Sequence, residues 1–155
     1  MELTHIDENG LATMVDVSEK EPTARVAVAK GVVRMNAEAL SAVRSGKGRK
    51  GEVLNTALVA GITAAKRTWE LIPMCHQIPL SGVKMKFAFL ADGVEIAAEV
   101  NCTAKTGAEM EALTAVTVAA LTVYDMVKAV DKRMKIENVR LVKKSGGKSG
   151  EVCYE

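Results

Sequence analysis

The chain has 155 residues, of which 26% are charged and 3% are aromatic, and its formal net charge is +2. This length suits one domain whose core needs no metal or disulfide, and the near-neutral charge argues against general binding of nucleic acid. The three cysteines, Cys75, Cys102 and Cys153, are too widely spaced for a disulfide framework or a zinc cluster, which favours a reducing, cytoplasmic location.

Residues 1–20 are predicted to form an extended polar arm, because they show no helical period and Asn9-Gly10 is typical of a turn. They also lack the basic start and apolar centre of a signal peptide. After Pro22, residues 23–33 alternate between two faces, which predicts the first strand.

Two helices are predicted after this strand. Asn36 is suited to cap the first helix, which stops at Gly46. The second helix runs from about Glu52 to Glu70 and ends before Pro73. One of the two is therefore additional to a simple strand–helix–strand unit.

A β-hairpin is the strongest local signal in the chain. Residues 83–91 alternate apolar residues with lysines, and Asp92-Gly93 leads into a second alternating run, residues 94–105. A long helix follows, from about Ala108 to Lys132, and residues 135–144 supply a last strand. Threonines interrupt the apolar stretch of this helix, which falls short of the ~20 residues of a membrane span.

The resulting element order is β-α-α-β-β-α-β. It predicts an α+β fold of the ferredoxin-like, split βαβ type with an extra helix, in which the helices cover one face of an antiparallel sheet. We expect a single domain over residues 1–155, with the arm at 1–20 and a glycine-rich C-terminal tail at 144–155. The apolar face of the second strand and the small residues Ala97 and Ala98 suggest association between subunits.

The long helix carries Glu111, Asp125 and Lys128 along one narrow stripe, while apolar residues cover the rest of its circumference. Asp125 and Lys128 are either a proton-transfer pair or part of the solvated side of a core helix. Glu111 and Asp125 lie about 21 Å apart along the axis, at ~1.5 Å per residue, which is too far for one small ligand. Either the chain has two sites, or one site is shared between subunits.

Two glycine-rich loops carry clustered basic residues. GKGRKG, residues 46–51, lacks the preceding strand of a dinucleotide-binding loop, so Lys47, Arg49 and Lys50 either contact an anion or belong to a solvated connector. KKSGGKSG, residues 143–150, lacks a glycine of the Walker A motif, and no helix can follow it. Its lysines beside Gly-Gly form either a backbone anion nest or a disordered basic tail.

A loop between Pro73 and Pro79 holds Cys75 and His76. His76 is either a structural, hydrogen-bonded histidine or a group that titrates near neutral pH. Covalent catalysis by Cys75 with His76 as its base is disfavoured, because adjacent side chains of an extended loop point apart.

Several segments taken together resemble one family over nearly the whole chain. They are THID near the start, MVDVS, KGRKGEVLNTALVAGITAAKRTWELIPMCHQIPLS, KTGAEMEALTAVTVAALTVYDMVKAVDK and KSGGKSG. The combination resembles the cyclic pyranopterin monophosphate synthase family, MoaC, of molybdenum cofactor biosynthesis. LIPMCH, TGAEMEALTA and YDMVKA in this order make the resemblance specific, whereas one glycine loop alone would be weak.

The resemblance implies a lyase that converts 3′,8-cyclo-7,8-dihydroguanosine 5′-triphosphate to cyclic pyranopterin monophosphate and releases pyrophosphate. It also implies a homohexamer, a trimer of dimers, with active sites at a subunit interface. Neither a redox cofactor, nor nucleic acid, nor a membrane is expected, although Mg²⁺ could accompany the triphosphate.

The family's functional residues are carried over by motif. Asp125 and Lys128 would be the acid/base pair, and neighbouring cations would lower the lysine pKa. Lys50 would be a second catalytic or phosphate-contacting lysine. The other expected substrate contacts are Met74, Cys75, His76, Met110 and Glu111, with Arg25, Lys66, Lys144 and Lys148 around the triphosphate.

Two other classes of function compete with this interpretation. A ferredoxin-like sheet can bind single-stranded RNA, but aromatic residues for stacking are scarce, and the glycine of the RNA-binding strand motif is absent. A nucleotide-sensing regulatory domain would use the basic loops but would not need Asp125 and Lys128, so turnover separates a sensor from an enzyme.

Overall fold

The computed structural model describes residues 3–46 and 52–155. The elements, in chain order, are β1 Thr23–Arg34, α1 Ala37–Ser45, α2 Val53–Lys66, α3 Thr68–Leu71, β2 Leu80–Leu90, β3 Gly93–Ala104, α4 Glu109–Val127, β4 Lys135–Ser145 and β5 Val152–Cys153. The predicted order of strands and helices is confirmed, with α3 and β5 as additions. The predicted cap of α1 is also confirmed, because the Asn36 side chain accepts a hydrogen bond from the Ala39 N–H at 2.8 Å.

The strands form one five-stranded antiparallel sheet in the order β2-β3-β1-β4-β5. β1 lies at the centre, where Ala27 pairs with Val100 of β3 on one side and with Lys144 of β4 on the other. The predicted α+β class is therefore confirmed. The order of the first four strands agrees with the split βαβ arrangement, which places the chain's first and third strands beside each other.

The helices lie over one face of this sheet. Helix α4 packs on β1, β3 and β4, and α2 packs on both α4 and β2. The strands carry small, fully buried residues under α4, among them Ala27, Ala29 and Ala98, so the helix approaches the sheet closely. This packing places the start of α4 above the ends of β1 and β3, where the predicted substrate contacts begin.

Helices of the same chain cover part of the apolar face of β2, but Phe89 at its end is 40% exposed, so the expected contact with another subunit stays a prediction. Met85 is buried and pairs with the buried Ala98 on the helix side of the sheet. The opposite face is polar: Lys86 is exposed there, and the Lys30 ammonium lies 3.7 Å from the Glu95 carboxylate.

Helix α4 ends at Val127, earlier than the predicted Lys132. The backbone N–H of Asp131 donates to the Val127 carbonyl at 3.3 Å. The Asp131 carboxylate is buried and accepts hydrogen bonds from the N–H groups of Asn36 and Arg133, both at 2.8 Å. These bonds hold the Asp131 pKa below its ordinary value, and they fix the turn after α4 to the start of α1.

Two other boundaries differ from the prediction. The expected second helix is interrupted at Arg67, whose N–H donates to the Ala64 carbonyl, and the buried Thr68 hydroxyl also donates back into α2 before α3 begins. The C-terminal tail is not wholly irregular, because Val152–Cys153 pairs with β4 at the edge of the sheet.

Within the described residues, α4 meets the length and hydropathy that a membrane-spanning helix also requires. Half of its apolar window is buried inside the fold. Fully buried residues such as Ala112, Val116 and Val123 pack it into the core. Burial against the sheet accounts for this composition, because a core helix is apolar for the same physical reason.

Candidate active site

Five of the predicted substrate contacts line one cavity. The loop after α3 supplies Met74, Cys75 and His76, and the start of α4 supplies Met110 and Glu111. The cavity has a volume of about 360 Å³. The N-terminal arm supplies the opposite wall through Thr4, His5, Val15, Val17 and Lys20. The fold thus brings two separate motifs to one place, which we call the Glu111 cavity.

The arm is fastened over the Glu111 cavity by two side chains of the main body. The Nε2 atom of His76 lies 2.7 Å from the Val15 carbonyl oxygen. Because a carbonyl oxygen only accepts, Nε2 carries the hydrogen, and Nδ1 of the neutral ring is left as an acceptor. The Lys105 ammonium donates to the Ser18 carbonyl at 2.7 Å. His76 therefore has a structural bond and a second nitrogen for a ligand.

Glu111 is a buried carboxyl group at the cavity wall, with 5% of its surface exposed. Burial raises its pKa to about 7, and the charge of Glu109 acts in the same direction. Its own backbone N–H, which donates to the carboxylate, opposes this shift. Near neutral pH the group therefore exists in both protonation states, which suits proton exchange with a bound ring.

Cys75 is not prepared for nucleophilic attack. Burial, and then the negative charge of Glu111, raise the pKa of its thiol. A thiol with a raised pKa is protonated at neutral pH and is a poor nucleophile. The geometry agrees with the argument against covalent thiol catalysis and leaves Cys75 as a contact residue.

A second, larger cavity of about 950 Å³ adjoins the first. Its basic lining residues come from four segments of the chain: Lys20, Arg25, Lys105 and Lys148. Lys20, Thr106 and Gly107 line both cavities, so the two spaces share a wall at the start of α4. Three carboxylates, Asp16, Glu19 and Glu21, line it as well, so the cations outnumber the carboxylates by one. Clustered ammonium and guanidinium groups can bind a polyanion, and we call this space the basic cavity.

Arg25 is held in the basic cavity by backbone contacts. Its Nε donates to the Ala104 carbonyl at 2.9 Å, and Nη2 donates to the Lys105 carbonyl at 3.2 Å. The guanidinium rests on Gly147, whose backbone is left-handed with φ of 70°. A Cβ atom at Gly147 would overlap this guanidinium. The Gly-Gly of KSGGKSG therefore makes room for Arg25.

Replacing Gly147 by alanine is expected to displace Arg25 and to raise the KM for a polyphosphate substrate by about tenfold or more, because a charge-assisted contact is lost. The left-handed backbone adds about 1–2 kcal/mol of destabilisation. Gly150→Ala is the matched control, since Gly150 has φ of 63° and nothing within 4 Å of an added Cβ. Steady-state kinetics and thermal unfolding of both variants separate the two effects, and equal KM values would contradict the role of Gly147.

Lys144 and Lys148, the two remaining tail lysines of the prediction, occupy different positions. Lys148 lines the basic cavity. The Lys144 ammonium lies on β4 and donates to the Glu109 carboxylate at 3.1 Å. Since Glu109 lines the Glu111 cavity, Lys144 is linked to that cavity through a carboxylate and does not line it.

Asp125 and Lys128 form a pair at the opposite end of α4. The Lys128 ammonium lies 2.6 Å from an Asp125 carboxylate oxygen, and the two side chains are 52% and 58% exposed. The expectation of a lowered lysine pKa is wrong for the single chain, because the hydrogen bond and charge of Asp125 raise the Lys128 pKa. The pair is about 21 Å along the helix axis from Glu111, at ~1.5 Å per residue.

One further predicted residue is not brought to either cavity, and another cannot be placed. Lys66 is exposed at the last turn of α2 and lines neither space. Lys50 lies outside the described residues. One chain therefore brings most of the predicted substrate contacts to the start of α4 and places the predicted acid/base pair at its end.

Residues that the sequence analysis did not select also line the two cavities. Lys20 and His5 come from the arm, and Lys105, Thr106 and Gly107 come from the turn between β3 and α4. The signal for Lys20 is its position two residues after MVDVS, a segment with no periodicity whose Val15 carbonyl nonetheless contacts His76. The turn before α4 belongs to KTGAEME, a segment from which the resemblance selects only Met110 and Glu111.

Across residues 3–46 and 52–155, no three His, Cys, Asp or Glu side chains are grouped so that they could hold a metal ion. The carboxylates at the mouth of the basic cavity include Asp16, which instead accepts hydrogen bonds from the backbone and hydroxyl of Ser18, at 2.8 and 2.6 Å. These bonds lower the Asp16 pKa.

Comparison with known proteins gives consistent matches. The model of the MoaC family matches residues 14–147. A cyclic pyranopterin monophosphate synthase of Novosphingobium aromaticivorans is 58% identical over 149 residues, which cover 96% of this chain and 95% of that protein. The proteins of the same name from Desulfitobacterium hafniense and Peptoclostridium acidaminophilum are 57% and 54% identical, covering 100% and 97% of this chain and 96% of each relative.

Proposed function

The chain belongs to the MoaC family, and on that premise we propose that it is a lyase of molybdenum cofactor biosynthesis. It converts 3′,8-cyclo-7,8-dihydroguanosine 5′-triphosphate to cyclic pyranopterin monophosphate and releases pyrophosphate. The observation that supports this activity best is the junction of the Glu111 cavity, with its titratable groups, and the basic cavity. Their volumes, about 360 and 950 Å³, lie within the range of small-molecule sites.

In this proposal the purine-derived ring occupies the Glu111 cavity and the triphosphate occupies the basic cavity. Glu111 and the Nδ1 atom of His76 exchange protons and hydrogen bonds with ring nitrogens and oxygens. The thioethers of Met74 and Met110 cover the faces of the ring, because a polarizable sulfur packs well against a π-system. Arg25, Lys148 and, through the shared wall, Lys20 contact the phosphates.

Asp125 and Lys128 supply acid/base catalysis to this site from another copy of the chain. Within one chain the pair is about 21 Å from Glu111 along α4, at ~1.5 Å per residue, so one small substrate cannot touch both. A homohexamer built as a trimer of dimers, with the site at a subunit interface, removes this separation. Lys50 and Lys66 act in the same assembled site, Lys50 as a catalytic or phosphate-contacting lysine.

The chemistry needs both kinds of group. Opening the purine ring by water and closing the pterin ring require several proton transfers, for which a carboxyl of pKa about 7 and a carboxylate–lysine pair are suited. A ribose hydroxyl then attacks the α-phosphate: its proton goes to a base, the new P–O bond closes the cyclic monophosphate, and pyrophosphate leaves. The cations of the basic cavity stabilise the charge that develops on the phosphates.

Lys128 meets the conditions for proton transfer only in the assembled site. In the single chain Asp125 raises its pKa, which holds the proton on the ammonium. Beside the partner subunit's Arg25 and lysines, repulsion between like charges lowers this pKa, and the amine becomes a usable base. Mg²⁺ arrives bound to the triphosphate, no redox cofactor takes part, and the reaction takes place in the cytoplasm.

The test is direct measurement of product. The protein is incubated with enzymatically generated cyclic dihydroguanosine triphosphate, and pyrophosphate and the pterin product are quantified together. Equal amounts of the two products, formed with many turnovers per chain, are the expected result. Tight binding of the triphosphate without turnover would instead identify a nucleotide sensor and overturn the proposed activity.

A further inference from the structure

The arm begins with a small, preformed β-hairpin, residues 5–13, which we call the N-terminal hairpin. The Thr13 N–H donates to the His5 carbonyl at 3.0 Å, and the Asp7 N–H donates to the Leu11 carbonyl at 2.9 Å. The Asp7 carboxylate accepts hydrogen bonds from the N–H groups of Asn9 and Leu11, at 2.9 and 2.8 Å. The hairpin is thus fixed by its own backbone and by one carboxylate.

This hairpin presents apolar side chains to the outside. Within and beside it, Leu3, Ile6, Leu11 and Met14 are 75%, 47%, 65% and 52% exposed. An isolated two-stranded hairpin is at best marginally stable in water, and clustered exposed apolar side chains mark contact surfaces. The hairpin itself exposes Ile6 and Leu11, with Leu3 and Met14 beside it, and contact with a partner would bury these side chains.

The position of the hairpin indicates which partner. Thr4 and His5 line the Glu111 cavity, so the hairpin stands at the rim of that cavity. In the proposed assembly, a second copy brings its Asp125 and Lys128 to this cavity. We therefore compare the hairpin with the C-terminal end of the partner subunit's α4, which carries that pair.

That end of α4 complements the hairpin in charge and in polarity. Exposed Leu121 and Val130 flank the Asp125–Lys128 pair, and Lys128, Lys132 and Arg133 are exposed beside them. The arm, residues 3–21, carries five carboxylates and one lysine, and two of the carboxylates, Asp7 and Glu8, lie at the hairpin turn. An acidic, apolar hairpin thus matches a basic, apolar helix end.

We propose that the N-terminal hairpin of one copy docks on the C-terminal end of α4 of a second copy and guides the partner's Asp125 and Lys128 into the Glu111 cavity. Leu11 and Ile6 pack against the partner subunit's Leu121 and Val130, and the turn carboxylates face the partner subunit's Lys132 and Arg133. The role of the guided pair rests on the proposed function, whereas the docking contact itself does not.

Cross-linking between copies tests the contact. The exposed Cys153 is first replaced by serine; Cys102 is buried and Cys75 is partly buried. Copies that carry Leu11→Cys are mixed with copies that carry Val130→Cys and treated with a short bismaleimide. A covalent dimer that contains one copy of each kind is expected. Absence of this dimer, or an equal yield when Leu71→Cys, also well exposed, replaces Val130→Cys, would overturn the docking contact.

A second variant measures the consequence for the assembled site. Activity per chain is measured as a function of protein concentration. In the double variant Ile6→Ser with Leu11→Ser, the concentration that gives half of the maximal activity is expected to rise by about tenfold or more. The reason is that the docked copies no longer bury these two apolar side chains. Leu71→Ser, which removes an equally exposed leucine from α3, is expected to leave that concentration unchanged.

The two proposals fail in different ways. Turnover by the wild type together with an unshifted concentration dependence in the double variant overturns the docking role and leaves the synthase activity standing. Suppose that the Leu11→Cys and Val130→Cys copies cross-link to each other but the wild type shows no turnover. This result overturns the synthase activity and leaves the docking contact standing. Loss of activity that high protein concentration does not restore would also contradict docking, because it would place Ile6 or Leu11 in the chemistry.

Discussion

Replacing Lys128 by alanine is expected to reduce turnover by about a hundredfold to ten-thousandfold, the range that a general acid–base residue contributes. The ammonium is hydrogen-bonded to Asp125 and exposed, so nothing in the core depends on it. The melting temperature should therefore stay at the wild-type value. Steady-state kinetics with pyrophosphate detection, combined with thermal unfolding, measure both effects in one preparation.

Lys86→Ala is the matched control for this variant. Lys86 is also an exposed lysine, but it lies on the face of the sheet away from the helices. It should keep wild-type turnover and a wild-type melting temperature. Equal turnover in Lys128→Ala and the control would remove Lys128 from the mechanism, and unfolding of Lys128→Ala would show that its exposed position had been misjudged.

Glu111→Gln is expected to lose at least about a hundredfold in turnover and to become more stable at alkaline pH. The Glu111 pKa rises from its ordinary value of 4.5 to about 7 in the folded chain, so between these values the folded state holds a proton that the unfolded state releases. The stability that this group supplies is complete below pH 4.5 and is lost as the pH rises through 7. The ionised group therefore costs about 3 kcal/mol above pH 7, which glutamine avoids.

Thermal or urea unfolding between pH 4 and 9 measures this effect. The wild type should lose stability through pH 7, whereas Glu111→Gln should show a flatter profile over the same interval. Glu70→Gln is the control, since that carboxylate is exposed on α3 and lies 3.4 Å from the Arg67 guanidinium. A flat wild-type profile, or the same change in both variants, would contradict a buried, ionisable Glu111 as the source.

The sequence predicted most of the framework because its local signals agreed with its tertiary contacts. Each local pattern predicted one element, and the structure contains all of them: strand β1, the β2–β3 hairpin, the Asn36 cap and the long apolar helix. The two helix boundaries that failed have different settings: the break at Arg67 involves local bonds back to Ala64, whereas the end of α4 involves a contact distant in sequence. Helix α4 stops early because the Asp131 carboxylate binds the backbone of Asn36, which periodicity cannot reveal.

Site residues that belong to a recognisable motif were predicted from the sequence. Site residues whose position depends only on how the arm packs were not. Met74, Cys75, His76, Met110 and Glu111 were selected by motif and line one cavity. Lys20 was missed because the arm has no period, and its place depends on the bonds that His76 and Lys105 make to the arm backbone. The direction of the Lys128 pKa shift was missed because it is set by one 2.6 Å contact within the chain.

The central claim, that one synthase site is built from two copies, is tested most directly by mixing two inactive variants. Glu111→Gln removes the ionisable carboxyl group from the cavity of its own copy. Asp125→Asn removes the carboxylate from the acid/base pair that a copy contributes to its partner's cavity. The two variants are mixed in equal amounts, dissociated reversibly and allowed to reassemble. Half of the pairs are then mixed, and one of the two sites in each mixed pair is intact, so about a quarter of wild-type turnover should return. A mixture that remains inactive, although the two variants reassemble together, would contradict the shared site.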